Sequence, residues 1–385
     1  MKRFKVKDFV IGAWCPPAPN EANYRAYIDA GFNLVMTYRN YRNPDKEFEV
    51  AEKLGLWMLI DTYMSNETPW GGIEPDPPPD EPMHHRARPA ELRWLLDRYG
   101  KSPVLAGFLM GDDIGLPDHI LENAEILLKD APGLFPWYAT NMDIERQIHA
   151  PIPMLSTQNY AYVIRKGEPE PVKRQAYCDR LGRDRRITNR FNMVLWPWVI
   201  CMPEASPSEV RFQVYACVAY GAQGLWYYYF EDNVWDTRNQ KPGPKHAVVS
   251  ECNRYITGVG PLLIGRRCVG VFHSPGNEQP GHALTPGKDQ FVRSMSDGLM
   301  AGLLVPEDKI GLPDAQPDYV MVVDKRAVKV GQPEPGERDV VVEFEPGVAG
   351  VSVVAADMTV TSMKGNRAVL RLRSGGGVLI AVDRP

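Results

Sequence analysis

The stretch VLAGFLMGDDI, residues 104–114, is an apolar run that ends abruptly in two adjacent carboxylates, Asp112 and Asp113. Val104, Leu105, Ala106, Phe108 and Leu109 suit a strand covered on both faces, and Gly111 lets the backbone turn as the strand ends. The reading is a buried strand that delivers acids to a pocket. In parallel α/β folds the carboxyl ends of the strands are where chemistry is placed.

Working outward, the same pattern recurs. From Phe9 to about Gly265, short apolar runs at 9–15, 33–38, 57–63, 104–111, 135–140, 154–159, 193–201 and 224–230 alternate with helix-like segments. The helices clearest by periodicity are 20–30, 45–54, 90–99, 118–129 and 209–220. Eight β-then-α units predict an α/β fold of the (β/α)8 TIM barrel type over residues 1–265. Ser206-Pro207-Ser208-Glu209 has the form of a capping box with proline at the first helical position, which makes Glu209 a helix cap. Gly31, Gly55, Gly100 and Gly221 fall where left-handed C-caps are wanted. A proline-rich insertion, Pro69 to Pro89, follows the third strand and is expected to overhang the barrel mouth. After Gly265 the chain turns to short strands separated by Gly and Pro, so residues 266–385 are expected to form a small all-β sandwich of accessory role.

Composition narrows the function. The 385 residues carry a formal net charge of −4, which offers no basic field for nucleic acid or anionic lipid. No apolar run reaches the roughly 20 residues of a membrane span. The six cysteines are scattered and read as reduced, buried thiols. The N-terminus lacks a cleavage-site pattern. A cytoplasmic address is expected for the sequence as written, or a secreted or periplasmic one if a leader has been removed. HExxH, GxxxxGK[ST], GxSxG and a strand-to-helix GxGxxG are all missing, His84-His85 is a poor metal signal, and lysines are few at strand ends; no cofactor or metal is expected.

Aromatics are abundant, with 9 Trp and 17 Tyr crowding the predicted strand ends. Flat aromatic faces serve both large cores and the stacking of pyranose rings. The mouth is expected to collect Trp14, Tyr38, Arg39, Asp61, Tyr63, Asp112, Asp113, Asn141, Gln158, Asn159, Tyr160, Trp196, Trp198, Glu204, Tyr228, Glu231 and Asp232. Each has a structural alternative: Asp112 as a loop anchor, Asp61 as a partner of Arg39, and Trp196 and Trp198, on one face of their strand by period two, as core. Hydrolysis of a glycosidic bond needs one protonated and one ionised carboxyl group, and this ring contains several acids.

Over roughly residues 9–265 the chain resembles the clan A glycoside hydrolases. The carriers are the fourth-strand ending GFLMGDD, similar to a family ending of GF-hydrophobic-GDE, and the seventh-helix segment PSEVRFQVYACVAYGAQGLWYYYF. A C-terminal β-sandwich is common in such enzymes. The resemblance implies cleavage of a β-linked oligo- or polysaccharide, with Asp113 as general acid at the position where the family carries Glu. Asp is shorter by one carbon–carbon bond, ~1.5 Å. For the second carboxylate the resemblance points to Glu204, after the seventh strand in WPWVICMPEAS; Glu231 and Asp232, closing the eighth strand in WYYYFED, are the alternatives by position. Related barrels carry a sixth-strand Asp in a pattern like SxDxY, where this chain has Ser156-Thr157-Gln158-Asn159-Tyr160. That departure, with Asp113, sustains a second reading: a carbohydrate-binding barrel that has lost the catalytic pair. Arg39 and Arg42 would suit an acidic polysaccharide.

Overall fold

The computed structural model describes residues 8–37, 44–62, 89–112, 116, 118–139, 144–275, 279–312 and 315–384. Strands β1 (Val10–Trp14), β2 (Leu34–Met36), β3 (Trp57–Asp61), β4 (Leu105–Asp112) and β5 (Phe135–Ala139) pair in sequence order and in parallel. Beyond them, β6 (Met154–Leu155) pairs with β7 (Val194–Leu195), and β8 (Trp198–Ile200) pairs with β9 (Gly224–Tyr228), which returns to β1. A bridge between Ala139 and Ser156 links β5 to β6.

Strands β7 and β8 are two halves of one stave, interrupted at Trp196-Pro197. Proline has no N–H to give a ladder. The ring still closes there, because Trp196 N–H donates to Leu155 O at 2.9 Å and Trp226 N–H donates to Pro197 O at 3.1 Å. The result is a (β/α)8 barrel in which the predicted seventh strand is split.

Around it run α1 (Glu21–Asp29), α2 (Asp45–Leu54), α3 (Pro89–Tyr99), α4 (Asp118–Asp130), the single turns α5 (Ile144–Gln147) and α6 (Ala161–Ile164), then α7 (Glu170–Phe191), α8 (Pro207–Ala219) and α9 (His246–Leu263). Helix α8 starts with the expected box: Glu209 N–H donates to Ser206 Oγ at 3.1 Å, and Ser206 N–H donates to Glu209 Oε2 at 2.6 Å. Gly31, Gly55 and Gly221 take positive φ, whereas Gly100 does not. Its N–H donates to Leu96 O at 2.8 Å, which prolongs the helical turn instead.

The barrel is filled with aromatic rings in layers. Phe135 meets Trp196 edge-on at 5.1 Å, Trp137 lies 4.1 Å from Trp226, and Trp198 lies 5.8 Å from both Trp14 and Tyr228. Space for Trp226 comes from Gly12, where a β-carbon would sit 1.9 Å from the indole. A residue with any side chain there would expel a ring from the interior.

After a short antiparallel pair, β10 (Trp235–Asp236) and β11 (Lys241–Pro242), a six-stranded antiparallel sheet behind the barrel runs in the order β12 (Arg266–His273), β14 (Leu299–Pro306), β15 (Tyr319–Asp324), β20 (Gly377–Asp383), β17 (Gly350–Val354), β18 (Val360–Lys364). A three-stranded sheet of β13 (Val292–Met295), β16 (Arg338–Phe344) and β19 (Arg367–Leu372) covers one of its faces. Period two divides the six-stranded sheet: Leu299, Ala301, Val320, Val322 and Ile380 fill the sandwich, while Met300, Leu304, Met321, Val323 and Leu379 join the barrel's core. Helix α8 is buried along its length from Ser208 to Ala219 because it lies between the two. Strand β18, absent from the sequence reading, is an exposed edge with the polar sequence VTSMK.

Candidate functional site

The mouth of the barrel is assembled from residues at the carboxyl ends of its strands. Trp14 closes β1 and is 8% exposed, with Trp198 fully buried beside it. Trp198 Nε1–H donates to Ser156 Oγ at 3.1 Å, and its carbonyl accepts the Tyr177 hydroxyl at 2.8 Å. The first bond holds the indole and the second its backbone, beneath Tyr228, which is partly exposed and meets Tyr160 at 5.4 Å in a T-shaped contact. Among the described residues, Tyr160 and Tyr228 offer aromatic surface outward at these strand ends. Trp196, expected at the mouth, is 1% exposed and lies one layer lower: Phe135 and Gly224, which start β5 and β9, pack against its ring. Trp196 comes two residues before Trp198 on the same face, so its ring fills the layer beneath.

Polar groups form a wall beside these tyrosines. Asp61 ends β3 in a buried position, and its N–H donates to Thr37 Oγ1 at 2.9 Å. Asp112 ends β4 and accepts a hydrogen bond from Gln158 Nε2 through Oδ1. Gln158 is 1% exposed, and its Oε1 is buried without a hydrogen-bond partner. The amide therefore has its nitrogen engaged and an acceptor unused. Arg180 fixes this segment by donating to Gln158 O at 2.9 Å. The neighbouring Asn159 turns the other way: its Nδ2 donates to Tyr177 O at 3.0 Å, on α7. It tethers the loop to a helix instead of facing the mouth.

The candidate acids have different surroundings. Asp113, Tyr38, Arg39, Arg42, Tyr63, His84, His85 and Asn141 lie outside the described residues. Glu231 accepts from Thr237 Oγ1 at 2.7 Å, and its N–H donates to Cys15 O at 3.2 Å, so it is built into the turn after β9. Asp232 is exposed on that turn with φ +64°. Glu204 follows β8; its Oε2 is buried and has no hydrogen-bond partner. Lys245, 6% exposed, donates to the adjacent Ala205 O. Burial holds the Lys245 ammonium below its ordinary pKa, against the opposing charges of Cys201, Glu209 and Glu204.

No protein-family model matches the chain, and no curated protein matches it in sequence. Solved structures match its shape. A noncanonic maltogenic α-amylase from Thermotoga neapolitana is 11% identical with a TM-score of 0.54 over 98% of this chain and 99% of that one. An α-amylase from Geobacillus thermoleovorans, solved with acarbose, is 12% identical with a TM-score of 0.51 over all of both chains. A GH27 β-L-arabinopyranosidase from Geobacillus stearothermophilus is 9% identical with a TM-score of 0.51 over 98% of this chain and 96% of that one. What they share with this chain is the fold. It is the barrel with a β-domain behind it, matched along the whole length.

Two features of this mouth carried no sequence signal. Cys15, after β1, adopts φ +52°, a left-handed conformation costly for a residue with a β-carbon. Tyr229 lies beside it, its hydroxyl pushed up to about 12 by burial and by Cys15. Lys245 was equally hidden, since PGPK reads as a solvated turn. Its link to Glu204 exists only after the β8–α8 and β9–α9 connections meet.

Proposed function

We propose that this chain is a glycosidase that cleaves a β-linked oligo- or polysaccharide, with Asp113 as general acid and Glu204 as the second carboxylate. The observation that carries the reading is the mouth itself: the buried, unengaged amide oxygen of Gln158 and the carboxylate of Asp112 stand at strand ends that also offer Tyr160 and Tyr228. Such a combination recognises a pyranose by its hydroxyls and its apolar face together. Glu204 is preferred to Glu231 because one of its oxygens is unengaged, whereas Glu231 is held by Thr237. Support for sugar chemistry comes from the structural neighbours, whose names are those of glycosidases.

The test is hydrolysis of paired α- and β-aryl glycosides and oligosaccharides by the wild type, Asp113→Asn, Glu204→Gln and Glu231→Gln. The expected result is cleavage of β-substrates, lost by at least ~100-fold in the first two variants and changed by less than ~10-fold in the third. Cleavage of α-substrates alone overturns the linkage. Full activity in Asp113→Asn overturns the acid. A second reading, a barrel that binds saccharide without cutting it, is favoured by the amide of Gln158 at the sixth-strand position where related barrels carry an acid. Calorimetric binding without product from any substrate would select it.

A further inference from the structure

Glu204 belongs to a short loop between β8 and α8, closed where Ala205 N–H donates to Met202 O at 3.1 Å. Ser206, the N-cap of α8, follows at once, so the loop has little length in which to move. From a different connection of the barrel, Lys245 reaches the same loop and donates from its ammonium to Ala205 O. Ala205 is fully buried and Lys245 is 6% exposed, so the bond is made away from water.

Lys245 itself has a fixed base. It stands directly before α9; its N–H donates to Asn233 O at 2.8 Å, and its carbonyl accepts Val249 N–H at 3.0 Å. A β-carbon on Gly243 would lie 2.5 Å from Asn233 O, so the turn leading to Lys245 packs closely on the segment after β9. Among the described residues, the ionisable groups that face the ammonium are Cys201 just after β8, Glu204 on the loop and Glu209 on α8. Two of these are already engaged. The Cys201 thiol lies 3.3 Å from Tyr228 O and 3.1 Å from Tyr229 O, and burial pushes it up to about 12, so it carries no charge at neutral pH. Glu209 accepts from Lys173 of α7 through Oε1 and from Ser206 N–H through Oε2. Glu204 has an oxygen, Oε2, that is buried without a hydrogen-bond partner. An opposite charge close by favours the ionised form of a carboxyl group, and the second carboxylate of a glycosidase works in that form.

We infer that Lys245 is a positioning residue for Glu204: it fixes the loop that carries this carboxylate and supplies the positive charge beside it. The inference rests on the reading of Glu204 as the second carboxylate. Lys245 is not a catalytic residue, because its ammonium is engaged by Ala205 O and lies almost wholly inside the molecule. Its effect reaches the reaction through Glu204.

The full chain is assayed on β-aryl glycosides as wild type, Glu204→Gln, Lys245→Met, Lys245→Gln, Lys245→Arg and the control Lys241→Met, which alters an exposed lysine of β11. Methionine keeps the apolar stem without bond or charge, glutamine keeps a donor without the charge, and arginine keeps both. We expect kcat to fall at least ~10-fold in Lys245→Met and Lys245→Gln with KM changed by less than ~3-fold, recovery to within ~3-fold of wild type in Lys245→Arg, and no change in Lys241→Met. Hydrogen exchange, read by mass spectrometry, is expected to quicken at least ~10-fold across residues 201–206 of Lys245→Met while the sandwich keeps its protection, which separates a loosened loop from a misfolded chain. A wild type that cleaves nothing, or full activity in Glu204→Gln, overturns the reading of Glu204 and the inference with it. Activity lost in Glu204→Gln but unchanged in Lys245→Met overturns the inference alone, as does a loss that Lys245→Arg does not recover. Full activity in Lys245→Gln overturns the part assigned to the charge.

Discussion

Lys173 is shared by two carboxylates inside the molecule. Its ammonium lies 3.1 Å from Glu170 Oε2 and closer still to Glu209 Oε1, and all three side chains are almost completely buried. Glu209 also accepts the Ser206 N–H of the capping box. One lysine does not neutralise two buried carboxylates, so the second retains its proton: Glu170 is pushed up to about 8 from an ordinary value of 4.5, by burial first and by Glu209 next. Between those values the folded chain holds a proton that the unfolded chain has released. Stability from this group is complete below pH 4.5 and is lost as pH rises through 8. Glu170→Gln is expected to flatten that decline and to leave the variant more stable than the wild type at pH 9, by on the order of 1 kcal/mol. Urea denaturation from pH 5 to 9 measures it; an unchanged slope would show that Glu170 titrates normally.

Among the elements, α8 and α7 mark what a sequence does and does not disclose. Helix α8 was announced by Ser206-Pro207-Ser208-Glu209, because a cap is a local interaction between residues three apart. Ser206 Oγ also donates to Val328 O, tying the helix start to the sandwich. Ser206→Ala is expected to cost ~1–2 kcal/mol, visible as a lower midpoint in urea; a loss below ~0.3 kcal/mol would mean that the box is redundant. Helix α7, although 22 residues long, gave no clear apolar stripe. Its buried face includes Lys173, Asp184 and Thr188 beside Tyr177, Cys178 and Leu181, and Asp184 is matched by Thr157 and Arg183, which lie on a distant loop and on its own helix. A stripe of partnered polar groups is invisible to a hydropathy pattern. The same limit applies at the site. Asp61 ends β3, Asp112 ends β4 and Gln158 follows β6, positions that a strand-by-strand reading can give, but the bond from Gln158 to Asp112, the turning of Asn159 toward Tyr177 and the depth of Trp196 in the barrel depend on neighbours that only the closed ring supplies.

At the scale of the whole molecule, barrel and sandwich meet at atomic contact. A β-carbon on Gly302 would lie 1.9 Å from Ala219 O of α8, one on Gly375 would lie 2.1 Å from Ser208 O, and one on Gly258 of α9 would lie 1.7 Å from Ala356 O. Polar bonds cross the same seam: Arg211 Nε–H donates to Ser374 O at 3.0 Å, and Tyr255 Oη donates to Val354 O at 3.0 Å while accepting Leu379 N–H at 2.8 Å. Because one face of the six-stranded sheet belongs to the barrel's core, neither half retains its packing if the other unfolds. Unfolding is therefore expected as one transition, with tryptophan fluorescence, which reports on the barrel's interior, coinciding with far-UV circular dichroism, which reports on both halves. Gly302→Val tests whether the seam is the cause. The added side chain meets a helix carbonyl that is fixed within α8 and has no rotamer through which to yield, so the sheet must withdraw as a body. The expected loss is ~2–4 kcal/mol, with the two probes separating as the sandwich unfolds ahead of the barrel. Coincident transitions at an unaltered midpoint would mean that the sheet can move off α8 at little cost, and that the shared core contributes little to the stability of either half.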